Sequence, residues 1–296
     1  MWVINNKKLF YTISSILVAA SFVSLAIWGL KPGIDFTGGT LVEVQYPAGR
    51  PDLSAISPAI MAIDPAASIR ASGSDEYIVR MKVIDQVQKP LVMSALSEKD
   101  TLTIVEKNFD SIGPVLGAEA LRKSLVSVAL VIIGIVLFIT FAFRKVSEPV
   151  QSWKYGLVAV IALVHDVIIP VGVFSVLGHY LGYEVDTLFV TALLVILGFS
   201  VHDTIVVFDR VRENLHLGGK NKPFSQVVGE SISQTFTRSI NTSLTTLLAL
   251  IVLYIFGGST TEHFSLALVI GIAVGTYSSI FIGSPLLVTV AGWGKK

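Results

Sequence analysis

The sequence predicts an α-helical membrane protein with six transmembrane helices and one small extracytoplasmic α+β domain, ferredoxin-like in its order of elements, between helices 1 and 2. Three observations support this fold class. Residues of the AVILMFWYC group make up 52% of the 296 residues and charged residues 15%, against roughly 25% charged in soluble domains. Six stretches reach the apolar length that a membrane helix needs, about 20 residues. The segment between the first two alternates as strands do.

The six spans are expected near residues 9–30, 125–143, 155–177, 188–208, 238–256 and 264–291. The first is too long for the apolar part of a signal peptide, usually 7–15 residues, and no A-x-A site follows it, so we interpret it as a retained anchor. Basic residues orient the chain, because cytoplasmic loops carry an excess of Lys and Arg. They fall on one side, which predicts cytoplasmic termini: Lys7, Lys8, Arg144, Lys145, Arg210, Arg212, Lys220, Lys222, Arg238, Lys295 and Lys296.

This topology predicts three parts. Residues 1–30 hold the cytoplasmic N-terminus and helix 1, and residues 31–120 form the extracytoplasmic domain. Residues 121–296 hold the other five helices, a cytoplasmic loop at about 209–237 and the cytoplasmic C-terminus.

The extracytoplasmic domain alternates between strand and helix patterns. Strands are predicted at 40–46, 67–72, 76–83 and 101–109, and helices at about 52–63 and 86–97. The order β-α-β-β-α-β is that of the ferredoxin-like split βαβ unit. No catalytic constellation accompanies it, because the adjacent Asp75 and Glu76 point to opposite faces of a strand.

Several function classes are excluded by composition and motif. A net charge of +1 without a separate basic domain gives no nucleic-acid surface. The absence of cysteine removes disulfides, thiolate chemistry and zinc–thiolate sites. The glycine-rich segment GIDFTGGT at 33–40 lacks the Lys-Ser/Thr of a P-loop, so nucleotide binding is not expected. We therefore predict no enzyme activity, cofactor or metal.

Asp203 is the main candidate site residue, because it lies at membrane depth in the fourth span. An ionisable group there costs at least ~2.5 kcal/mol on insertion scales and usually has a function. Desolvation favours its neutral form and a nearby cation its charged form, so it can be poised to bind and release a proton. Arg238 is the preferred partner. The alternatives are a permanent buried ion pair, or an Asp that stays protonated and hydrogen-bonds a neighbouring helix.

The fifth span carries polar residues into the membrane. Its purely apolar run covers only residues 247–256, so the preceding RSINTSLTT stretch must also lie in the membrane. At helical spacing Arg238, Thr242 and Thr245 share one face, with Asn241 beside them. Such a stripe needs a protein or water-lined partner.

Two further features lie in the third and sixth spans. His165 and Asp166 sit near the middle of the third span, where one is expected to face a proton path and the other to serve packing or hydrogen bonding. For His165, a neutral interhelical hydrogen bond is the favoured reading. In the sixth span Gly271, Gly275, Ser279 and Gly283 recur every four residues, which predicts a close helix-packing face.

Four stretches carry a family resemblance: GIDFTGGTLVEV, SIGPVLGAEALRKS, HDVIIPVGVFS, and GFSVHDTIVVFDRVREN followed by QTFTRSINTSLTTL. They resemble the SecD/SecF family of the bacterial Sec protein-export machinery, a relative of the resistance-nodulation-division transporters. The chain is most similar to the stand-alone SecF members, and the resemblance spans nearly its whole length.

The resemblance implies a role, partners and a location. It implies a subunit of the bacterial cytoplasmic (inner) membrane that pairs with SecD beside the SecYEG channel, often with YajC. Inward proton flow would drive the outer domains to help draw the preprotein across. The family's proton-path carboxylate falls on Asp203 and its essential arginine on Arg238. His202 stands where the family commonly has Asn, so its imidazole is a candidate to tune Asp203 or join the relay.

Three functions are weighed against each other. The first is a proton-powered accessory subunit of protein export, the second is half of a small-molecule efflux pump, and the third is a passive scaffold of the export complex. Efflux relatives carry much larger outer domains, and a scaffold would not need Asp203 or the polar stripe of the fifth span. The first function is therefore preferred.

Overall fold

A computed structural model describes residues 1–85, 87–143, 150–217 and 222–292. Arg144, Lys145, Lys220, Lys295 and Lys296, which helped to predict the topology, lie outside these residues, as does the predicted helix start at residue 86. The chain divides into two compact units. We call residues 1–31 with 125–296 the membrane unit and residues 32–124 the sheet unit.

Helices and strands follow in this order: α1 (Trp2–Asn5), α2 (Lys7–Trp28), α3 (Ile34–Thr37), β1 (Gly39–Gln45), α4 (Leu53–Ile63), β2 (Ser68–Ser72), β3 (Glu76–Met81), α5 (Lys89–Leu96), β4 (Val105–Ile112), α6 (Pro114–Ala142), α7 (Ser152–Tyr180), α8 (Thr187–His216), α9 (Phe224–Phe256), α10 (Ser259–Ser278), a π-helical turn (Ser279–Gly283) and α11 (Ser284–Ala291). Within the described residues six helical stretches are long and apolar enough to cross a membrane. The predicted fold class is confirmed.

Several helices extend well past the predicted spans. Helix α8 continues to His216 and α9 begins at Phe224, so much of the segment expected as a loop at 209–237 is helical. The added turns of α9 bury Val227, Val228 and Ile232 on one face. An amphipathic helix that packs on its neighbours has no reason to end where its apolar run ends.

The sheet unit has the predicted ferredoxin-like topology. Its strands lie in the order β2-β3-β1-β4, with every neighbouring pair antiparallel. Strand β4 starts at Val105 rather than at the predicted residue 101. Glu98, Lys99 and Asp100 all adopt left-handed backbone angles, which prolongs the turn after α5 and delays the strand.

The glycine-rich segment at 33–40 is a tight structural turn. Gly38 has a φ of +73° and Gly39 a φ of +129°, angles that disfavour residues with a Cβ. A Cβ on Gly38 would lie 2.8 Å from Cα of Pro114, and one on Gly117 would lie 2.9 Å from the carbonyl oxygen of Phe36. The glycines thus let the start of α6 lie directly against this turn.

Two of the six spans are peripheral in the membrane unit. The most apolar windows of α6 and α9 are only 6% and 11% buried, whereas those of α7, α8 and the sixth span are 50–61% buried. Helices α7, α8 and α10 therefore form the centre, and α9 presents one side outward.

Candidate proton-coupling site

Helices α8 and α10 pack closely against each other next to Asp203. A Cβ on Gly271 would fall inside the side chain of Ile196, and one on Gly275 would lie 3.1 Å from Cβ of Ser200. The next small residue in this series, Ser279, reaches Asp203. Small residues therefore bring the polar groups of the two helices into direct contact.

Asp203 is buried and held by two hydroxyl groups. Its side chain is 6% exposed. Ser239 of α9 donates to Oδ1 at 2.6 Å, and Ser279 donates to Oδ2 at 2.7 Å. In the described part of the chain no Lys, Arg or His forms an ion pair with this carboxylate. Each carboxylate oxygen thus has one neutral donor.

Ser279 opens the π-helical turn of the sixth span. Such single turns within α-helices are often found at functional sites. The carbonyl oxygen of Ser279 accepts a 2.8 Å hydrogen bond from Oγ of Ser284, five residues on, and its own Oγ also lies 3.1 Å from the carbonyl oxygen of Thr276. The hydroxyl that binds Asp203 therefore has a second acceptor within reach.

The predicted contact between Asp203 and Arg238 is not formed in this chain. Arg238 is exposed, as are Thr242 and Thr245 of its predicted stripe. Adjacent helix positions differ by about 100°, and it is the next residue, Ser239, that faces Asp203. The buried polar face of α9 repeats every four residues: Ser231, Thr235, Ser239 and Ser243. His202 is likewise exposed beside the buried Asp203.

His165 and Asp166 are both buried, but they point to different neighbours. Asp166 is 0% exposed, and its Oδ2 accepts from Ser200 of α8 and, at 2.7 Å, from Ser278 of α10. His165 places Nδ1 2.9 Å from Oδ1 of Asp166 and Nε2 3.1 Å from Oγ of Ser14 in α2. Helix α7 is covered on both sides, so neither residue faces outward.

Two adjacent serines of the sixth span each bind one of the two carboxylates. Ser278 donates to Asp166 and Ser279 donates to Asp203. On α8, Ser200 and Asp203 are three residues apart and therefore neighbours on one helix face. Sequence reasoning identified the charged members of this network and Ser279, but missed Ser200, Ser239 and Ser278. The Ser-Ser pair inside an apolar span was the available signal.

Among the described residues there is no group of three or more His, Cys, Asp or Glu side chains arranged to hold a metal ion. The chemistry that the geometry offers is proton binding by carboxylates whose donors are hydroxyls.

Family comparisons now identify the chain. A model described as the C-terminal part of the protein export membrane proteins SecD and SecF matches residues 92–293, and a SecD/SecF GG-motif model matches residues 23–46. The chain belongs to the SecD/SecF family. It is a multi-pass membrane protein of a protein-export family, and the GG motif includes the turn formed by Gly38 and Gly39.

Individual relatives agree with this family. The protein translocase subunit SecF of Thermobaculum terrenum is 42% identical over 99% of this chain and 94% of its own length. SecF of Anaerolinea thermophila is 36% identical over 97% and 92%. The crystal structure of SecDF from Thermus thermophilus, described as a translocon-associated membrane protein, matches with a TM-score of 0.82 at 31% identity. That match covers 97% of this chain and 38% of the SecDF chain.

Proposed function

We propose that this chain is a SecF-type accessory subunit that, with SecD, uses the proton motive force to promote preprotein translocation across the cytoplasmic membrane. The observation that carries the proposal is the buried Asp203, which has a hydroxyl donor on each oxygen and no cation bonded to it in the described residues. A carboxylate whose donors are hydroxyls can bind and release a proton without losing its hydrogen-bond partners, because a hydroxyl can both donate and accept.

Protonation of Asp203 would change its bonds to α10. An ionised carboxylate only accepts, whereas a protonated one also donates. A proton on Oδ2 makes Ser279 an acceptor, and the freed hydroxyl proton can then bond the carbonyl oxygen of Thr276, 3.1 Å away. Because this exchange occurs at the start of the π-helical turn, it favours a different packing of α10 on α8.

The proton gradient supplies enough energy for such a switch. Each charge that crosses the membrane yields ~2.3 kcal/mol per 100 mV. One or a few protons can therefore reverse a bias of several kcal/mol between two packings.

A second chain is needed to complete the site. His202 and Arg238 are exposed within membrane spans of this chain, as are Thr242 and Thr245, and lipid cannot hydrogen-bond an exposed imidazole or guanidinium. In SecDF of Brucella abortus, a region 36% identical to this chain makes up 34% of a longer protein. These observations support SecD as the cover for this face. SecYEG, YajC and the preprotein are further partners that the resemblance implies.

We also propose an orientation in the bacterial cytoplasmic membrane, with cytoplasmic termini and residues 31–120 outside. The support is the one-sided distribution of Lys and Arg in the sequence. A reporter at position 75 should label only from outside the cell and one at position 220 only from the cytoplasm. Labelling of both from one side would contradict the six-span topology.

The decisive experiment measures preprotein translocation into vesicles with and without a proton gradient. Asp203→Asn keeps the size of the side chain but cannot ionise, so it should abolish the gradient-dependent part of translocation while the complex still assembles. Asp203→Glu should retain part of it.

Asp209→Asn is the matched control, because Asp209 lies on the same helix with 54% of its side chain exposed and pairs with Arg212. It should behave as the wild type. Normal gradient-driven translocation by Asp203→Asn would instead favour a passive scaffold.

A further inference from the structure

A second group of ionisable side chains lies beside Asp203 and is not used by the switch described above. His165 is 5% exposed and Asp166 is 0% exposed. Their hydrogen-bonded network runs from Asp166 through His165 and Ser14 to Tyr277 of α10. With Ser200 of α8, which binds Asp166, it joins α2 to the central helices α7, α8 and α10 of the membrane unit.

The hydrogen-bond directions in this network fix its proton count. Tyr277 donates its only proton to the carbonyl oxygen of Phe10 at 3.3 Å, so it can only accept from Ser14, whose Oγ lies 3.4 Å away. With its proton on Tyr277, Ser14 accepts from Nε2 of His165 at 3.1 Å, and this arrangement places a proton on Nε2.

The other imidazole nitrogen faces a carboxylate oxygen. Nδ1 of His165 and Oδ1 of Asp166 are 2.9 Å apart, so one proton must lie between them. With Nε2 already protonated, the pair is either an imidazolium with a carboxylate or a neutral imidazole with a carboxylic acid. Both forms hold the same number of protons and have zero net charge.

Charge compensation leads to the same result. The groups around the pair are hydroxyls, from Ser14 of α2, Ser200 of α8 and Ser278 of α10. The titratable groups of this described network are Tyr277, which stacks on His165, and Asp203, which is linked through Ser279. No cation in it offsets a negative pair, and an unpaired buried charge is costly.

We propose that the His165–Asp166 pair is a second proton-binding site, loaded with one proton in this conformation, which supplies Asp203 by way of Ser278, the last residue of α10, and Ser279, the first residue of the π-helical turn. In the transfer the pair loses one proton and becomes an anion with a neutral imidazole. Asp203 gains that proton and becomes a carboxylic acid, so the total charge is conserved. The transfer to Asp203 rests on the proposed function, whereas the loading of the pair does not.

The loading is tested by nitrogen-15 nuclear magnetic resonance of the full chain, labelled at its five histidines, in lipid bilayers. His165→Gln assigns the signal of His165. At neutral pH we expect protonated Nε2 together with either protonated Nδ1 or a protonated Asp166 carboxyl group, the latter seen by infrared spectroscopy. A neutral imidazole with its proton on Nδ1, beside an ionised Asp166, would overturn the proposal.

The transfer is tested by the pH profile of gradient-driven translocation. His165→Gln removes the stored proton but keeps a hydrogen-bonding side chain. We expect the pH of half-maximal translocation to move by about one unit or more, a tenfold change in proton affinity. His179→Gln is the control, because His179 is exposed on the same helix and stacks on Trp28. An unchanged profile in His165→Gln would refute the transfer.

These measurements separate the two proposals. A loaded pair together with normal translocation by Asp203→Asn would leave the second site standing and remove the switch at Asp203. An inactive Asp203→Asn together with an anionic His165–Asp166 pair would keep the switch at Asp203 and remove the second proton-binding site. If His165→Gln fails to fold, Ser278→Ala removes one hydroxyl donor from Asp166 and should shift the same pH profile.

Discussion

Two carboxylates, one in each unit, are equally buried but are held in different ways. Asp64 of the sheet unit and Asp203 of the membrane unit are both 6% exposed. Asp64 accepts backbone N–H groups, from Lys82 at 2.6 Å and Ala66 at 3.0 Å. Asp203 accepts side-chain hydroxyls, from Ser239 at 2.6 Å and Ser279 at 2.7 Å.

The nature of the donor separates a fixed carboxylate from one that can switch. A backbone N–H cannot turn away or become an acceptor, so the bond from Lys82 holds the pKa of Asp64 below its usual range. A hydroxyl can rotate and can both donate and accept. The hydroxyl donors of Asp203 therefore permit it to gain a proton without leaving an unpaired group. The backbone donors of Asp64 favour its ionised form.

The largest expected effect concerns a cation for Asp203, which forms no ion pair with the described residues. Arg238 precedes Ser239 and is exposed, so we expect it to act at the interface with SecD. Arg238→Met should reduce gradient-driven translocation at least tenfold. It should not destabilise the isolated chain, because a charge exposed at membrane depth costs at least ~2.5 kcal/mol. Translocation into vesicles and thermal unfolding of the purified chain measure the two effects.

Arg212→Met is the control for this prediction. Arg212 pairs with Asp209 at 2.5 Å near the end of α8 and lies 40% exposed. Its substitution should leave translocation unchanged. A loss of stability in Arg238→Met, with translocation intact, would mean that Arg238 is structural.

The fold was predictable because its signals are long and redundant. Each span is a stretch of about 20 mainly apolar residues, and the sheet unit combines strand-like alternation with turn residues. The errors fell at the ends of elements, as at Val105, where three left-handed residues delay β4. No periodicity reports such a turn in advance.

The site was harder to predict because it depends on helix rotation. A shift of one residue turns a side chain by about 100°, and this difference separates the exposed Arg238 from the buried Ser239. Charged residues drew attention for their cost in a membrane, and the serines that bind them did not. The sequence thus indicated Asp203 and Asp166, but not that the adjacent Ser278 and Ser279 bind them.

The second largest expected effect comes from a substitution at the contact between α8 and α10. It tests whether their close packing holds Ser279 against Asp203. Gly271→Leu places a side chain where Ile196 lies, and overpacking of this kind costs about 1–3 kcal/mol. We expect a lower thermal stability of the membrane unit and weaker gradient-driven translocation. Gly198→Ala, on α8 with open space around its Cβ, should cost nothing. Equal stability of the two variants would show that α8 and α10 do not need this approach.

Substitution of Asp64, the carboxylate with backbone donors, should lower the stability of the sheet unit. Asp64→Asn leaves two backbone N–H groups without a charged acceptor, which costs about 1–3 kcal/mol. Because the pKa of Asp64 is lowered in the folded state, its stabilisation is full above pH ~4 and is lost as the pH falls through the lowered value. Hydrogen exchange of residues 39–112 should therefore be faster in the variant at pH 7, with a difference that shrinks in acid.

Asp52→Asn provides the matched comparison in the sheet unit, because Asp52 is exposed and its side chain does not cap α4. Hydrogen exchange in this variant should match the wild type at both pH values. Faster hydrogen exchange in Asp64→Asn at both pH values would mean that the shape of Asp64, and not its charge, stabilises the sheet unit.

The smallest expected effect comes from removing one of the two hydroxyl groups that donate to Asp203. Ser239→Ala removes the hydroxyl that donates to Oδ1 of Asp203, a net loss of about 1 kcal/mol that falls on the ionised form. The pH of half-maximal translocation should rise, by less than one unit because one unit corresponds to about 1.4 kcal/mol. Ser233→Ala, exposed on the same helix, should leave it in place, and an equal shift in both variants would mean that the hydroxyl of Ser239 does not control the proton on Asp203.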